Sequence, residues 1–130
     1  MPELPEVETI RRGMEPNIGA KIINIINNRP EVVKSKDYEP TKLYHQPIKE
    51  VLRRGKFLIF KLKKNYNMVF HLGMSGRFYM IKADDIIKEP HVHVIVELDN
   101  GSRLLYQDAR RFGGVWFVSD IKSFFAKMGV

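Results

Sequence analysis

The chain has 130 residues, 44% of them hydrophobic, which is enough for a single folded domain. It contains no cysteine, which excludes disulfides, cysteine-ligated zinc and thiol catalysis within these residues and fits a reducing cytoplasm. No apolar run approaches the roughly 20 residues of a membrane helix. The 22 Lys and Arg residues outnumber the 15 Asp and Glu residues, and the formal charge of +7 favours a polyanionic partner, nucleic acid first.

The first predicted element is a helix over residues 4–14. Its hydrophobic residues are Leu4, Val7, Ile10 and Met14. Their spacings of three and four are typical of a half-buried helix. A proline in the first turn, acids near the start and arginines near the end suit the two helix termini. This helix accounts for the opening segment MPELPEVETIRRG, except for Pro2.

Eight short segments rich in β-branched or aromatic residues follow, and each predicts a strand. They are KIINIINN, PIKEVLRRG, KFLIFKLK, MVFHLG, RFYMIK, HVHVIVEL, RLLYQ and VWFV. KFLIFKLK is expected to be central because it carries apolar residues on both faces. The Asn100–Gly101 pair predicts a hairpin with a type I′ turn, and KNYN at 64–67 predicts a second tight link.

The tail SDIKSFFAKM predicts a short helix capped by Ser119. Many short strands with tight links are typical of an antiparallel sandwich. The expected fold class is therefore mainly β, an antiparallel β-sandwich of about eight strands with an N-terminal helix and a short C-terminal helix.

Pro2 suggests a chemical role for the N-terminus. If Met1 is removed, as expected before a small residue, the chain begins with a secondary amine. An α-amino group has a reference pKa of roughly 7.7–8.0, so an appreciable fraction is neutral and nucleophilic near pH 8. Its attack on an aldehyde-level carbon gives an iminium, which is an electron sink. Glu3 is a candidate proton donor beside it, and the alternative is that Pro2 only stiffens the start of the chain.

Three later stretches combine charge, glycine and exposed apolar character. RRGKF places Lys56 at the head of a predicted buried strand, HLGMSG sets Met74 between glycines, and DARRFGG joins Arg110 to Phe112. Taken singly, they are consistent with a solvated charge cluster, a core-facing methionine and a hairpin corner. Taken together, an exposed apolar side chain, an aromatic ring and an arginine suit insertion into a base stack, as in proteins that deform DNA.

Five segments occur in a fixed order: PELPEVETIRRG, RRGKF, HLGMSG, HVHV and DARRFGG. Through them the chain resembles the N-terminal domain of the formamidopyrimidine-DNA glycosylase family, bacterial repair enzymes that remove oxidised purines. The resemblance spans essentially all 130 residues. It implies base excision repair by a glycosylase that is also an abasic-site lyase, acting on 8-oxoguanine and formamidopyrimidines. It also implies double-stranded damaged DNA as the partner, a monomer, and a cytoplasmic, nucleoid-associated location without a membrane.

The resemblance assigns catalytic roles residue by residue. Pro2 resembles the nucleophile that attacks the sugar C1′, and Glu3 resembles the acid that assists opening of the sugar ring. Lys56 matches a lysine near the lesion and its phosphate, with a part in proton transfer during elimination. Glu6 is a candidate pocket residue, and an equal alternative is a surface acid favoured by the helix dipole.

The DNA-binding residues implied by the resemblance are Met74, His91, Arg110 and Phe112. His91 and Arg110 match contacts to the DNA backbone or bases. Met74, Phe112 and again Arg110 match residues that fill the gap left by a flipped nucleotide. Flipping is required because the glycosidic bond cannot be reached inside the stack, and it costs a few kcal/mol.

No cofactor is expected in this chain. His91 and His93 are predicted to share a strand face, but without a cysteine or a third ligand a metal site is disfavoured. The family's helix–two-turn–helix and zinc-finger domains do not occur within these residues, so residues 1–130 are interpreted as a catalytic-domain fragment. Zinc is expected in that C-terminal domain of the full-length enzymes.

Two other functions stay open at this stage. The first is a non-catalytic DNA-binding fragment that retains the intercalating loops, and a free Pro2 amine beside Glu3 and Lys56 would distinguish the enzyme from it. The second is a basic RNA-binding β-domain. Such a domain would use exposed aromatic residues on its strands, whereas the candidates here lie in loops.

Overall fold

The computed structural model describes residues 4–129 of the chain. Within this part of the chain, two α-helices and nine strands form the fold. The helices are α1 (Leu4–Met14) and α2 (Ile121–Met128). The strands are β1 (Ile22–Asn27), β2 (Val33–Lys36), β3 (Glu50–Arg54), β4 (Phe57–Lys61), β5 (Asn67–His71), β6 (Gly76–Lys82), β7 (Val92–Leu98), β8 (Ser102–Asp108) and β9 (Gly114–Val118).

The strands form two sheets, and the predicted β-sandwich is confirmed. One sheet has the order β1-β7-β8-β6 and the other the order β2-β9-β5-β4-β3. All eight predicted strands are present. The ninth, β2, was missed because VKSK is polar and largely exposed. It pairs parallel to β9, so the expectation of a purely antiparallel fold is wrong for this one edge.

Strand β4 is buried on both faces, as its sequence predicts. Leu58 and Phe60 belong to the core between the two sheets. Phe57 and Ile59 face the other way and pack with Phe125 of α2 in a second apolar cluster. Each fully buried side chain of this size contributes roughly 1.5–3 kcal/mol. Helix α2 is therefore held on the outer face of the five-stranded sheet.

Helix α1 confirms the prediction for residues 4–14. Val7 and Met14 are buried in the core between the sheets, while the side chain of Leu4 lies outside the described part. Two contacts fix the direction of α1: Arg11 donates to the Val51 carbonyl, and Arg53 donates to the Glu8 carboxylate. The helix therefore runs antiparallel to β3, and its first turn lies towards the end of that strand.

Two details of the turns differ from the predictions. The Asn100–Gly101 hairpin is present, but Gly101 has φ +82° while Asn100 does not have positive φ, so the turn is not type I′.

The cap of α2 is Asp120, whose carboxylate accepts from the Ser123 amide. Ser119 is not the cap, because its hydroxyl and amide both donate to Asp37. The tight link predicted at 64–67 is present but lies slightly earlier, at 62–66, because Asn67 is the first residue of β5 and pairs with Lys61. No helix among residues 4–129 is long and apolar enough to cross a membrane.

Candidate nucleic-acid interface

Three connections come together at one end of the sandwich: the turn 54–57, the turn 72–76 and the loop 109–113. Strand pairing brings them there. Phe57 lies opposite His71, and His71 lies opposite Gly114 on the other side of β5. In the second sheet, Gly76 lies opposite Asp108. We call this region the loop end.

Large apolar side chains protrude from the loop end. Met74 is 48% exposed and Phe112 is 62% exposed. The Arg110 guanidinium lies 5.8 Å from the centre of the Phe112 ring, within the range of a cation–π contact. The alternative of a core-facing methionine is therefore wrong. An apolar pair next to a cation, on neighbouring loops, is an arrangement that marks an interaction surface.

Asp108 lies beneath these side chains and is fully buried. Its carboxylate accepts four hydrogen bonds, at 2.6 to 3.0 Å, from the hydroxyls of Ser75 and Tyr106 and the amides of Arg111 and Gly113. Burial favours a raised pKa for Asp108, but these bonds outweigh it and hold the pKa below its usual value. The carboxylate is therefore charged and ties the loop 109–113 to the turn 72–76.

The backbones of the turn and the loop are also in close contact. Gly73 has φ +62°, and a Cβ there would lie 2.7 Å from the Gly113 amide nitrogen. A Cβ on Gly113 would lie 2.0 Å from the His71 carbonyl oxygen. Arg111 adopts φ +59°, a conformation that is costly for a non-glycine residue and is held here by its bond to Asp108. Close backbone contacts therefore fix the conformation of the loop end, in addition to its side-chain hydrogen bonds.

Lys56 lies in the two-residue hairpin turn between β3 and β4 and is partly buried. Gly55 supplies the positive φ of +59° that the first position of such a turn requires. The Arg53 guanidinium donates to the Gly55 carbonyl at 3.2 Å and to Glu8 at 3.1 Å, so it links the turn to α1. Hydrogen bonds from Arg11 and then from Arg53 lower the pKa of Glu8 to about 2.

The first half of α1 flanks a cleft of about 370 Å³ next to the start of β6. Glu6 is exposed and lines this cleft with Thr9, Ile10 and residues of β6 that begin at Gly76. The helix start thus lies between the Lys56 turn and the turn 72–76. Pro2 and Glu3, which precede the helix directly, lie outside the described residues.

His71 belongs to this end of the molecule and was missed in the sequence. Its Nδ1 accepts from the Gly73 amide at 3.0 Å, and its ring packs edge-on against Phe57 at 4.6 Å. Burial, and then the charge of Lys56, lowers the pKa of His71. The ring is therefore neutral at pH 7, with its proton on Nε2. The sequence signal was the placement of this histidine within HLGMSG, directly before the turn.

The prediction that His91 and His93 share a strand face is wrong. His91 precedes β7 with φ +64°, which breaks the alternation, and its side chain is exposed. His93 is buried, and its Nε2 donates to the Asp108 carbonyl at 2.6 Å. His91 still lies at the loop end, because its carbonyl accepts from the Asp108 amide. No group of three His, Asp or Glu residues suited to a metal occurs among residues 4–129.

Comparison with known proteins places this geometry in a family. The family model for the formamidopyrimidine-DNA glycosylase N-terminal domain matches residues 1–115. A formamidopyrimidine-DNA glycosylase of Syntrophomonas wolfei is 46% identical over 129 residues, covering 99% of this chain and 48% of the relative. One from Streptococcus pyogenes is 43% identical over 132 residues, covering 98% and 47%. The chain spans about half the length of the curated relatives it matches.

Solved structures are similar over the same region. The wild-type Lactococcus lactis enzyme (MutM) in complex with DNA containing N7-benzyl-Fapy-dG has a TM-score of 0.88 and 34% identity, covering 99% of this chain and 49% of that one. A structure of MutM with DNA containing carbocyclic 8-oxo-G has the same score, identity and coverage. The chain therefore belongs to the formamidopyrimidine-DNA glycosylase family, and it matches the N-terminal domain of that family.

Proposed function

We propose that this chain is the catalytic domain of a DNA glycosylase and abasic-site lyase that removes oxidised purines during base excision repair. The observation that carries the proposal is the convergence at the loop end. The first turn of α1, the Lys56 turn and the exposed side chains of Met74 and Phe112 all lie there. A nucleophile at the N-terminus would therefore act beside the residues that hold the DNA open.

The DNA-binding part of the proposal rests on exposure and charge. Met74, Arg110 and Phe112, which we call the wedge residues, fill the space left when a nucleotide leaves the stack. Filling that space offsets part of the few kcal/mol that unstacking costs. His91 and Arg110 supply polar contacts to the backbone or bases. The positive net charge of the chain favours approach to the phosphates.

In the glycosylase step the Pro2 nitrogen attacks the sugar C1′. The new N–C1′ bond replaces the bond from C1′ to the base, which leaves with the electron pair. The departing base takes up the proton that the attacking nitrogen loses, and this loss restores the lone pair on the nitrogen. Glu3 then gives a proton to the ring oxygen as the bond from C1′ to that oxygen breaks. The nitrogen lone pair becomes the second bond of an iminium.

The iminium makes the lyase step possible without a metal. Its positive nitrogen acidifies the hydrogen on C2′, and loss of that proton forms a C2′–C3′ double bond as the 3′ phosphate leaves. A second elimination expels the 5′ phosphate. Lys56 lies in a turn linked to α1, where its ammonium can contact a phosphate and take part in proton transfer. Glu6, on the wall of the neighbouring cleft, shapes the pocket.

The test is covalent trapping with sodium borohydride on a duplex that contains an abasic site, at low salt. Reduction converts the iminium into a stable amine, so the wild-type chain is expected to gain the mass of the DNA strand. The adduct should be found on a chain that lacks Met1. Pro2→Gly should strongly reduce the trapped fraction while leaving the circular dichroism spectrum unchanged.

Two results would contradict the proposal. Undiminished trapping by Pro2→Gly would exclude the proline as the nucleophile. No adduct from a wild-type chain that lacks Met1, together with tight binding to the same duplex, would favour a non-catalytic DNA-binding fragment. Lys122→Ala, at the start of α2 beside the link 62–66 and away from the loop end, is the matched control and should trap as well as the wild type.

A further inference from the structure

We infer that Ser75 and Asp108 are positioning residues that hold the turn 72–76 and the loop 109–113 together. Met74 and Phe112, which these two segments carry, then enter DNA as one rigid body. This inference rests on the proposed function and identifies what holds its DNA-binding residues in place. Neither residue needs to touch the DNA. They act through the backbone of the turn 72–76 and of the loop 109–113.

Ser75 is the direct link between the two loops. Its hydroxyl donates to Asp108 at 2.6 Å and accepts from the Arg110 amide at 3.1 Å. It belongs to the turn that carries Met74, while its two partners belong to the segment that carries Phe112. One side chain therefore closes a ring of hydrogen bonds between segments that are 33 to 35 residues apart in the chain.

Asp108 extends the link to the rest of the loop. It accepts from the Arg111 and Gly113 amides, which flank Phe112 on both sides. The carboxylate is buried, so these bonds are not weakened by competition with water. Phe112 thus protrudes from a loop that is fixed before and after it, while its ring contacts the Arg110 side chain and the residue stays 62% exposed.

Rigid coupling has a consequence for DNA binding. Ordering a mobile loop costs roughly 1–2 kcal/mol per residue in backbone entropy. When both loops are already ordered and joined in the free protein, insertion of one wedge side chain places the other against the DNA without a further cost in backbone entropy. Met74 and Phe112 should then bind cooperatively, and loss of the link should make their contributions independent.

The first arm of the test uses the free protein and measures amide hydrogen exchange in Ser75→Ala. The Arg110 amide loses its acceptor directly and is expected to exchange faster whatever the mechanism. The informative amides are those of Arg111 and Gly113, which bond to Asp108 and not to Ser75. We expect their exchange to rise about tenfold through local opening of the loop. Acceleration confined to Arg110 would overturn the inference.

The second arm is a double-mutant cycle on a duplex that contains a tetrahydrofuran abasic-site analogue. Dissociation constants are measured for Met74→Ala, Phe112→Ala and the double variant, with and without Ser75→Ala. With Ser75 present, the loss in the double variant should be about fivefold smaller than the product of the two single losses. In the Ser75→Ala background the losses should multiply. Coupling that is absent with Ser75, or that persists without it, would overturn the inference.

Matched variants separate positioning from a general loss of stability. Ser75→Thr keeps the hydroxyl and should retain the coupling. Ser119→Ala removes a serine–aspartate hydrogen bond of 3.2 Å at the opposite end of β9 and should leave the coupling unchanged. If the loop amides respond as expected but the wild-type chain does not prefer the abasic duplex to an intact one, the proposed function fails and the link between the loops stands.

Discussion

A serine–aspartate hydrogen bond lies near each end of β9, but the two bonds differ in how deeply the aspartate is buried. At the loop end, the Asp108 carboxylate is fully buried and accepts from four donors in three segments of the chain. At the opposite end, Asp37 is exposed and accepts from the amide and hydroxyl of Ser119 alone among the bonds of the described residues. The same chemistry is thus used once inside the fold and once on its surface.

This difference shows how the fold supports exposed apolar side chains. Met74 and Phe112 leave 48% and 62% of their surface exposed and so gain less packing energy than core side chains do to hold their loops. A buried, charged acceptor fixes the backbone beneath them instead, because backbone amides bond strongly to a carboxylate in a low-dielectric site. The opposite end carries no comparable protruding pair in its connection 62–66, and surface hydrogen bonds are sufficient there.

The largest effect on stability is expected from Asp108→Ala. The change leaves two hydroxyls and two amides without their acceptor, and each unsatisfied buried group costs about 1–3 kcal/mol. We expect a loss of about 3 kcal/mol or more in the free energy of unfolding, measured by urea denaturation. Asp37→Ala, the matched change at the opposite end, should cost about 1 kcal/mol, because water replaces its partners. Equal losses would remove the distinction between the two ends.

The next largest difference in stability is expected between Gly113→Ala and Gly101→Ala. In Gly113→Ala the new Cβ would meet the His71 carbonyl oxygen at 2.0 Å and the Tyr106 hydroxyl at 2.7 Å, so the backbone of β5 or of the loop must move. We expect a loss of about 2–3 kcal/mol. Gly101→Ala meets no atom within 4 Å and carries only the strain of φ +82°, which costs about 1 kcal/mol. Thermal unfolding of both variants measures the difference, and a larger loss at Gly101 would contradict it.

His71 should make stability depend on pH in a known direction. Its pKa in the fold is lower than the reference value of 6.5, so the unfolded chain binds more protons between the two values. The contribution of His71 is therefore present above pH 6.5 and is lost as the pH falls through its lowered pKa. Protonated Nδ1 can no longer accept from the Gly73 amide.

The control for this prediction is His71→Asn, which supplies an oxygen acceptor near the position of Nδ1 but does not titrate. Urea denaturation between pH 7.5 and 5 should show a smaller decline in stability for the variant than for the wild type. An identical decline in both proteins would show that other groups control the pH dependence.

The smallest effect on stability is expected from Phe112→Ala. The ring is 62% exposed, so its removal should change the free energy of unfolding by no more than about 0.5 kcal/mol. Binding to a duplex with an abasic site should nevertheless weaken, by about tenfold, because an aromatic ring stacked on a base is worth about 1–3 kcal/mol. Fluorescence anisotropy measures the dissociation constant. A stable variant that binds as well as the wild type would exclude Phe112 from the wedge.

The sequence predicted most of the fold because local hydrophobic patterns determine its elements. Helix α1 was predicted from residue spacing, and the eight expected strands were predicted from short runs rich in β-branched and aromatic residues. The failures involve long-range contacts. Strand β2 is polar and forms only by pairing with β9, and Ser119 lost its role as a cap because its hydroxyl bonds to Asp37, 82 residues away. Such partners cannot be identified from local propensity.

The candidate site was predicted in part. The exposure of Met74 and Phe112 could be anticipated, because apolar residues between loop glycines had no evident core to join. Asp108 was missed, since an aspartate at the start of a loop usually indicates a turn and its buried network joins residues 33 positions apart. The prediction that His91 and His93 share a strand face was wrong because the positive φ of His91 interrupts the alternation of side chains along the strand.

The measurement that tests the central claim most directly is hydrogen–deuterium exchange of the chain with and without a duplex that carries a tetrahydrofuran site. If the loop end holds the DNA, residues 54–57, 71–76 and 109–113 should become protected, while the link 62–66 and the start of α2 should exchange as in the free protein. Protection at the opposite end, or protection spread evenly over both, would contradict the assignment of the loop end as the DNA-binding surface.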